Sequence, residues 1–389
     1  MKPTNSTLSN AGTTIFETMS ALARAHDAVN LGQGFPDDVG PAALRQLGAD
    51  FLVNGHNQYP PMMGLPALRQ AVAQHAQRFY GLTVDWQQEV LVTSGATEAL
   101  MDCFLGLLEV GDEVVLLEPA YDTYAPAITR LGAVPKAVRL TPPQWELPRA
   151  ELAAAFSPRT KLLVLNSPMN PAGKVFTRNE LEFIAELLLQ HDAYAVCDEV
   201  YEHLIFAGQV HVPLMTLPGM RDRCVRIGSA GKTFSMTGWK VGYITAAPHL
   251  LRPITKAHQF VTFTTPPNLQ HAIAAGLVLD DAYFASLGTT LAASRDRLAA
   301  GLRGLGLPLL TGNGTYFLVA DVAAWMLPNE DDVAFCARLV IEAGVVTIPL
   351  SAFYGGDAPR SLVRFCFCKR DATIDAALQR LTAWRGKAQ

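Results

Sequence analysis

The chain has 389 residues, enough for two or three domains, and half of them are hydrophobic whereas only 17% are charged. This composition predicts a large buried core with room for a subunit interface. The net charge of −4 and the pI near 6.1 leave no basic footprint for a nucleic acid, and no polybasic run adjoins an amphipathic stretch.

The cysteines and the N-terminal residues bear on the compartment. The first 16 residues, MKPTNSTLSNAGTTIF, lack the apolar segment of a signal peptide, and no apolar run approaches the roughly 18 residues of a membrane span. Six cysteines without any C-x-x-C pair predict reduced thiols instead of disulfides or a zinc site: Cys103, Cys197, Cys224, Cys336, Cys366 and Cys368. We therefore expect a cytoplasmic protein.

Short apolar runs alternate with helical patterns in the central part of the chain, as in βαβ units. The run EVLVTSG precedes apolar residues at helical spacing from Ala96 to Leu108. Two further strands, DEVVLLEP and TKLLVLNSP, come before a helix that Thr177 and Glu180 open with a capping box. The runs AYAVCDE, CVRIGSAG and KVGYITA are each short enough to be buried strands. These alternations predict an α/β fold with a mostly parallel central sheet flanked by helices.

The pattern changes near residue 280. A long helix, TTLAASRDRLAAGLRGL, leads to the strand GTYFLVAD, the helix DDVAFCARLVIEA and the strand SLVRFCFC. This order predicts a smaller α+β domain. Because the first 46 residues lack βαβ character, we expect them to pack with it. The predicted division is a large domain at 47–280, with 1–46 and 281–389 forming an N-terminal arm and a small domain.

Polar residues follow the carboxyl ends of four predicted strands. They are Ser94 and Gly95, Asn166 and Asn170, Asp198, and Ser229 and Lys232. Ligands of open α/β sheets bind outside the carboxyl ends of the strands, so these side chains are expected to meet in one crevice. For a single strand, an ordinary polar loop is the better interpretation. For four strands with these residue types, we favour a site.

Three familiar motifs do not fit. The GKT of SAGKTFS resembles the end of a P-loop, but the position five residues before Gly231 holds Arg226 in place of glycine. GQGFPD lacks the third glycine of a dinucleotide fingerprint and follows no clear strand. Asp198 and His203 alone are a weak metal pair, because a lone histidine more often serves structure. We predict no metal site.

Six motifs together carry a resemblance to a known family. SAGKTFSMTGWKVGY, NSPMNPAGKVF, CDEVYEHLIF, TSGATEAL, NLGQGFPD and RFCFCK resemble the class I aminotransferases, which are fold-type I enzymes that use pyridoxal phosphate. The motifs run in the family's order from about residue 16 to 369. They are most similar to the branch of kynurenine aminotransferase, glutamine transaminase K and bacterial methionine aminotransferase.

The resemblance implies that Lys232 forms a Schiff base with the cofactor aldehyde and then shuttles a proton between the substrate Cα and the cofactor. An amine attacks only when unprotonated, and lowering a lysine pKa by about 3 units costs roughly 4 kcal/mol. Burial or a nearby cation lowers the pKa in this way. The alternative is an exposed helical lysine, which the small and apolar neighbours of Lys232 disfavour.

The resemblance also implies a phosphate site. Lys240 and the hydroxyl of Ser229 match phosphate contacts, and the backbone N–H groups of Gly95, Ala96 and Thr97 would open a helix toward the phosphate. An ordinary glycine turn before an amphipathic helix is the alternative for this stretch.

The cofactor ring is assigned by the same resemblance. Asp198 would face the pyridine nitrogen and keep it protonated, while Tyr201 and Asn170 would bind the phenolic oxygen. Tyr121, in EPAYDTY, matches the aromatic residue that stacks on the ring. Taken alone, DEVYEH is also typical of a solvated acidic loop, an alternative that Lys232, 34 residues later, disfavours. Without the family, a core tyrosine is nearly as good an interpretation of Tyr121.

Arg364 interrupts the apolar strand SLVRFCFC and must find a partner. The resemblance implies that it clamps the substrate α-carboxylate in a bidentate fashion. An interdomain salt bridge is the alternative, since buried charges also serve structure.

For the substrate, the resemblance implies a pocket shared between two subunits of a homodimer. Phe16 takes the family's pocket aromatic position, Gly34 lies near the substrate carboxylate, and Tyr59 and Phe263 match residues lent by the other subunit, with Tyr59 reaching the cofactor. We identify no second arginine for a distal carboxylate. This favours methionine, aromatic amino acids or glutamine over aspartate, although some of these aromatic residues could belong to the core or interface.

The branch is not fixed by these residues. The kynurenine enzymes carry tryptophan where this chain has Phe16, tyrosine where it has Thr97 and histidine where it has Thr264, so Thr97 favours the methionine branch. The predicted reaction is a ping-pong transfer of the amino group to a 2-oxo acid. A β-eliminating lyase acting on cysteine S-conjugates with the same cofactor is the alternative. A regulator with an added DNA-binding module is disfavoured, because the match begins near residue 16.

Overall fold

The computed structural model describes residues 2, 4, 5 and 12–388. Fourteen α-helices lie in this part of the chain. They are Ile15–Ala25 (α1), Ala42–Asn54 (α2), Pro66–Tyr80 (α3), Trp86–Glu89 (α4), Gly95–Leu107 (α5), Tyr124–Arg130 (α6), Arg149–Ala155 (α7), Arg178–Gln190 (α8), Ala230–Thr233 (α9), Pro248–Val261 (α10), Pro267–Leu277 (α11), Asp281–Gly304 (α12), Asp332–Ala343 (α13) and Asp371–Ala388 (α14). Short 3₁₀ turns lie at Leu214–Thr216, Thr237–Trp239, Ala323–Trp325 and Leu350–Phe353.

The described residues also form twelve strands, of which seven build the main sheet. The strands are Val29–Asn30 (β1), Val90–Ser94 (β2), Glu113–Glu118 (β3), Val134–Arg139 (β4), Thr160–Asn166 (β5), Tyr194–Asp198 (β6), Cys224–Ser229 (β7), Val241–Ala246 (β8), Phe317–Asp321 (β9), Val345–Val346 (β10), Ile348–Pro349 (β11) and Leu362–Cys366 (β12).

The main sheet has the strand order β2-β8-β7-β6-β5-β3-β4. Strand β8 runs antiparallel to both of its neighbours, and the other pairs are parallel. Strands β3, β7 and β8 are buried along their whole length, as expected for a sheet flanked by helices. Because β2 and β7 both run antiparallel to β8, they run in the same direction as each other. The four strands that carry the predicted site, β2, β5, β6 and β7, therefore end at the same edge of the sheet. The predicted α/β fold with a mostly parallel sheet is confirmed.

The C-terminal part builds two smaller sheets. Strands β11, β12 and β9 form an antiparallel sheet, and β1 pairs with β10 in parallel, which ties the N-terminal segment to the C-terminal part. Helix α12 begins at Asp281, where the sequence pattern changes, whereas residue 46 lies inside helix α2, which packs on α11. The division at 46 and 280 stays a prediction.

Local sequence signals account for the helix that precedes β6. Thr177 and Glu180 form the predicted capping box, in which each residue binds the backbone N–H of the other. The buried face of this helix includes Leu181, Ile184 and Leu188, as their spacing predicts. Among the described residues, no helix combines the length and the apolar character needed to cross a membrane.

Candidate active site

A cavity of about 500 Å³ opens at the carboxyl ends of β2, β5, β6 and β7. Thirteen of the fifteen residues predicted for the site line it. They are Phe16, Gly34, Gly95, Ala96, Thr97, Tyr121, Asn170, Asp198, Tyr201, Ser229, Lys232, Lys240 and Arg364. The convergence expected from four strand ends is therefore present in the fold.

Tyr59 and Phe263 lie elsewhere, on the surface of the chain. The Tyr59 side chain is 80% exposed, and its ring contacts that of Phe263 edge-on at a centroid distance of 5.5 Å. Neither residue reaches the cavity of its own chain. That Tyr59 and Phe263 contribute to the cavity of a second subunit therefore stays a proposal.

One end of the cavity is formed by the start of helix α5. Gly95 has φ +74°, and a Cβ added there would lie 3.3 Å from Lys240 Nζ, so a side chain would crowd the ammonium group. The first N–H groups of a helix lack intrahelical partners, and its N-terminus carries partial positive charge. With Ser229 and Thr97 lining the same cavity, these groups can hold a phosphate dianion.

The floor of the cavity holds a buried carboxylate. Asp198, the last residue of β6, is 5% exposed, and its Oδ2 accepts a hydrogen bond from the Tyr124 hydroxyl at 2.5 Å. Asn166 Nδ2 donates to the Asp198 carbonyl oxygen at 2.8 Å and fixes the strand end. Burial raises the pKa of Asp198, so a protonated ring nitrogen beside it would stabilise the ionised form.

Lys232 projects into the cavity from the short helix α9. Its Nζ lies 2.9 Å from the Tyr316 hydroxyl and 3.4 Å from the carbonyl oxygen of Gly34. The Tyr201 ring is 5.5 Å from the same nitrogen. Burial lowers the pKa of Lys232, which increases the fraction of nucleophilic free amine. The exposed helical lysine of the alternative interpretation is not what the structure shows.

Arg364 is 1% exposed on β12 and finds no carboxylate partner among the described residues. Its Nη1 donates to Asn170 Oδ1 and its Nη2 to the carbonyl oxygen of Gly32, both at 2.7 Å, while its Nε has no partner. The guanidinium also lies 4.0 Å from the centroid of the Phe317 ring and 5.3 Å from that of Phe16. The interdomain salt bridge is therefore not formed, and the charge faces the cavity.

Gly34 allows two segments to meet at the cavity wall. A Cβ at this position would lie 2.7 Å from Phe317 Cζ, too close for any side chain. Its carbonyl oxygen accepts a hydrogen bond from Tyr316 at 2.7 Å. The N-terminal segment and β9 are thus in direct contact beside Lys232.

Sequence reasoning missed several residues of the site. Tyr124 and Tyr316 bind Asp198 and Lys232, and Asp122 and Phe317 line the cavity. Tyr316 and Phe317 lie in the predicted strand GTYFLVAD, where nothing distinguishes them from core aromatics. Tyr124 follows Tyr121 by three residues in EPAYDTY, a recurrence that could have suggested a second aromatic residue at the site.

His203 does not join Asp198 in a metal site. Its Nε2 lies 2.7 Å from Nε2 of His75, and the nearby Glu202 is bound by Arg226 at 2.5 Å and by Tyr80 at 2.6 Å. The two histidines share one hydrogen bond, and the carboxylate is occupied by partners from the chain itself.

The residues of the cavity fit a phosphorylated aromatic aldehyde. An anion site lies at the helix start, a carboxylate at the floor, an aromatic ring at Tyr121 and an amine at Lys232. Arg364 adds a place for the carboxylate of a second molecule. Together these groups could hold an anion, an aromatic ring and a carboxylate around one buried amine.

Comparison with known proteins shows the family of the chain. A model of the family described as "Aminotransferase class I and II" matches residues 26–381. The chain therefore belongs to the class I and II aminotransferases, with the fold-type I architecture, and it is an aminotransferase.

Individual relatives cover nearly the whole chain. A methionine aminotransferase from Escherichia coli (strain K12) is 42% identical over 376 residues, covering 97% of each protein. Kynurenine–oxoglutarate transaminase 1 from Rattus norvegicus is 38% identical and covers 94% of each. The solved structure of N-succinyldiaminopimelate aminotransferase from Mycobacterium tuberculosis superposes with a TM-score of 0.95 at 43% identity, covering 98% of this chain and 100% of that one.

Proposed function

We propose that this enzyme uses pyridoxal phosphate to move the amino group of methionine, an aromatic amino acid or glutamine to a 2-oxo acid by a ping-pong mechanism. The observation that carries the proposal is the buried guanidinium of Arg364 in the cavity that Lys232 enters: its Nε has no partner, and among the described residues it binds no carboxylate directly. A buried charge without a counterion is costly, and an incoming α-carboxylate supplies the missing partner.

The cofactor is assigned to the residues at the two ends of the cavity. Gly95, Ala96, Thr97, Ser229 and Lys240 would bind its phosphate. Asp198 would hold the ring nitrogen, Tyr201 and Asn170 the phenolic oxygen, and Tyr121 one face of the ring. Pyridoxal phosphate supplies an aldehyde carbon for the amines and a ring that withdraws electrons from the substrate Cα.

The protein's own groups then perform four tasks. Lys232 provides the amine that holds the cofactor, and once released it accepts and returns the proton of the substrate Cα. Asp198 keeps positive charge at the ring nitrogen. Tyr201 donates a hydrogen bond, because burial raises the pKa of its phenol. Arg364 orients the substrate through its carboxylate.

The cations of the cavity favour a substrate with an uncharged side chain. Lys232, Lys240 and Arg364 are the only Lys or Arg residues among the described lining residues, and each already has a proposed task. Phe16 and Phe317 cover the remaining wall with apolar surface. Among the amino acids named for the relatives, methionine fits this wall best, while a substrate with a distal carboxylate finds no further cation among the described lining residues.

Two further parts of the proposal concern the environment of the enzyme. We propose a cytoplasmic homodimer in which Tyr59 and Phe263 complete the partner's cavity. Further large apolar side chains that are exposed on this chain support such a contact: Leu52 is 56%, Val53 78% and Phe260 83% exposed. Tyr59 would then contact the cofactor and Phe263 the substrate side chain.

Half-reaction spectroscopy tests the function. Purified protein supplied with pyridoxal phosphate is expected to show cofactor absorbance, and methionine should convert it to the pyridoxamine form. Borohydride reduction followed by peptide mass spectrometry should find the cofactor on Lys232. Lys232→Ala should remove both signals and lower the rate by at least about 10⁴-fold, whereas Lys161→Ala, at a partly exposed site beside Tyr194, is the matched control.

The same assay distinguishes the possible outcomes. A panel of amino donors and 2-oxo acids ranks the substrates, and release of pyruvate and ammonia from cysteine conjugates without an acceptor acid reports β-elimination. The proposal fails if no α-amino acid converts the bound cofactor.

A further inference from the structure

Lys232 lies between two cavities. It lines the cavity of about 500 Å³ that faces the proposed substrate and also a second cavity of about 780 Å³ behind it. The second cavity is enclosed by residues 36–41, residues 368–371 and helix α12. A lysine has a flexible four-carbon stem, so its amine could turn to either side. A catalytic amine in this position needs a group that holds it at the wall between the cavities.

Tyr316 is placed to be that group. Its hydroxyl oxygen lies 2.9 Å from Lys232 Nζ and 2.7 Å from the carbonyl oxygen of Gly34. A carbonyl oxygen only accepts, so the single phenolic hydrogen is donated to Gly34. The hydroxyl therefore presents its lone pairs to Lys232 and acts as an acceptor.

The Tyr316 side chain is held rigidly. It is 1% exposed, its ring meets that of Tyr201 edge-on at 5.2 Å, and its backbone carbonyl accepts from the N–H of Phe367 at 2.9 Å. Burial raises the pKa of the Tyr316 phenol well above its ordinary value, so the phenol stays neutral near pH 7. The acceptor is thus fixed in place and in protonation state.

We propose that Tyr316, which lines the second cavity, is the positioning residue of Lys232: it binds the ε-amine whenever the amine is not bonded to the cofactor and keeps it at the wall between the two cavities. The inference rests on the proposed aminotransferase function and adds a residue to it. Tyr316 acts only through Lys232, and Gly34, at its other side, links this contact to the N-terminal segment.

The contact suits both charge states of the amine. As a neutral amine, Lys232 donates one N–H to the Tyr316 oxygen and keeps its lone pair free to accept the proton that leaves the substrate Cα. After that transfer, the ammonium group still donates to the same oxygen, which stabilises the charged form until the proton is returned. The proton moves only between Lys232 and the substrate, so Tyr316 does not ionise.

Tyr316→Phe tests this role, since it removes only the hydroxyl group. In single-turnover experiments with methionine, the rate constant of cofactor conversion is expected to fall about 10- to 100-fold, as for a misplaced catalytic group. The kinetic isotope effect with α-deuterated methionine should rise, because proton transfer then limits the rate. The dissociation constant of methionine and the absorbance of the bound cofactor should stay within about 3-fold of the wild type.

Tyr283→Phe is the matched control. The Tyr283 hydroxyl donates to the carbonyl oxygen of Thr233 at 3.1 Å, next to Lys232, but it does not contact the amine. A loss shared equally by both variants would mean that the loop is merely loosened and would overturn the proposal. An unchanged rate and isotope effect in Tyr316→Phe would also overturn it.

A second measurement uses the protein without cofactor. Competitive acetylation at a series of pH values, read by mass spectrometry, reports the pKa of the Lys232 amine. Loss of an acceptor disfavours the ammonium form, so the midpoint for Lys232 should fall in Tyr316→Phe and stay unchanged in Tyr283→Phe. An unshifted midpoint in Tyr316→Phe would contradict the contact.

These results separate two kinds of failure. If the wild type binds no cofactor or converts no amino acid, the proposed function fails, yet the acetylation experiment still shows whether Tyr316 holds Lys232. If the wild type reacts and Tyr316→Phe matches it in rate, isotope effect and acetylation midpoint, only the positioning role fails.

Discussion

Two buried arginines of this enzyme have opposite surroundings. Arg226, on β7, binds two buried carboxylates, Glu199 through Nε and Glu202 through Nη2. Arg364, on β12, is still less exposed and binds only neutral oxygens, those of Asn170 and Gly32. The first arginine is neutralised by direct ion pairs within the chain, whereas the second forms no direct ion pair among the described residues. Buried charge by itself therefore does not indicate a site, whereas buried charge without a counterion does.

The neighbours of Arg226 show that its role is structural. Tyr80 donates to Glu202 at 2.6 Å, and a nitrogen of His211 lies 3.0 Å from Glu199. Each carboxylate is thus bound from more than one side by groups of the chain. The cavity around Arg364 instead combines an unpartnered Nε with an amine whose pKa is lowered by burial.

The largest expected effect on stability comes from Arg226→Met. Removing this side chain leaves Glu199 and Glu202 buried without a cation, which should lower the free energy of unfolding by about 3–5 kcal/mol. Urea denaturation of the variant measures the loss. Arg223→Met is the control, because its partner Asp192 is 88% exposed at the side chain and such pairs contribute at most about 1 kcal/mol. Equal losses of stability in both variants would show that the buried carboxylates do not depend on Arg226.

Arg364→Met should lower catalytic efficiency strongly and stability only weakly, the reverse of Arg226→Met. We expect kcat/KM for α-amino acids to fall about 100-fold, or about 2.7 kcal/mol, because the substrate carboxylate loses its partner. The urea midpoint should change much less than in Arg226→Met, since an unneutralised buried charge is removed. Steady-state kinetics and denaturation check the two halves, with the exposed Arg360→Met as control. A variant that unfolds readily but retains its kcat/KM would assign Arg364 to structure.

The smallest effect concerns a third buried cluster, in which His258 Nδ1 lies 2.8 Å from Glu98 Oε1 and 3.6 Å from Asp102 Oδ2. Burial alone would lower the pKa of His258, but the neighbouring carboxylates of Asp102 and Glu98 raise it to about 9. Burial raises the pKa of Asp102 to about 6, so that carboxyl group titrates mainly below pH 7.

The raised pKa of His258 defines the pH range in which its contribution to stability changes. A histidine whose pKa is raised in the folded state stabilises the protein below its unfolded value of about 6.5, and that stabilisation is lost as the pH rises to about 9. The free energy of unfolding of the wild type should exceed that of His258→Gln at pH 7, and this difference should shrink by on the order of 1 to 2 kcal/mol between pH 7 and 9.5. Urea midpoints at several pH values measure it, with the exposed His249→Gln as control. A constant difference would show that His258 is neutral in the folded protein.

The sequence supports the parts of this account that depend on local pattern and chain order. Alternating strands and helices, the capping box at Thr177 and the polar residues after four strands predict the sheet and the edge where the cavity lies. The resemblance to a family then names the residues at this edge. All of these features recur at short spacing or follow the ends of predicted elements.

Contacts between distant segments are not readable in the same way. Tyr316 meets Lys232 across 84 residues of sequence, and Tyr124 meets Asp198 across 74. Their partners are decided by the packing of the small sheet and of helix α6 against the large sheet, for which no local pattern exists. The neutral hydrogen-bond partners of Arg364 are a further example, since the sequence left an interdomain salt bridge open as the alternative to a carboxylate clamp.

The reversed strand β8 explains how the chain delivers two cations to one place. Because β8 runs against its neighbours, its first residues lie at the edge where β7 ends, so Lys232 and Lys240 are separated by one tight connection. A parallel strand would require a crossover of a dozen or more residues. Ser235 and Lys240 both adopt positive φ within this connection. Its length therefore fixes the spacing of the two amino groups: inserting even one residue between Lys232 and Lys240 would move them relative to each other, although every side chain were kept.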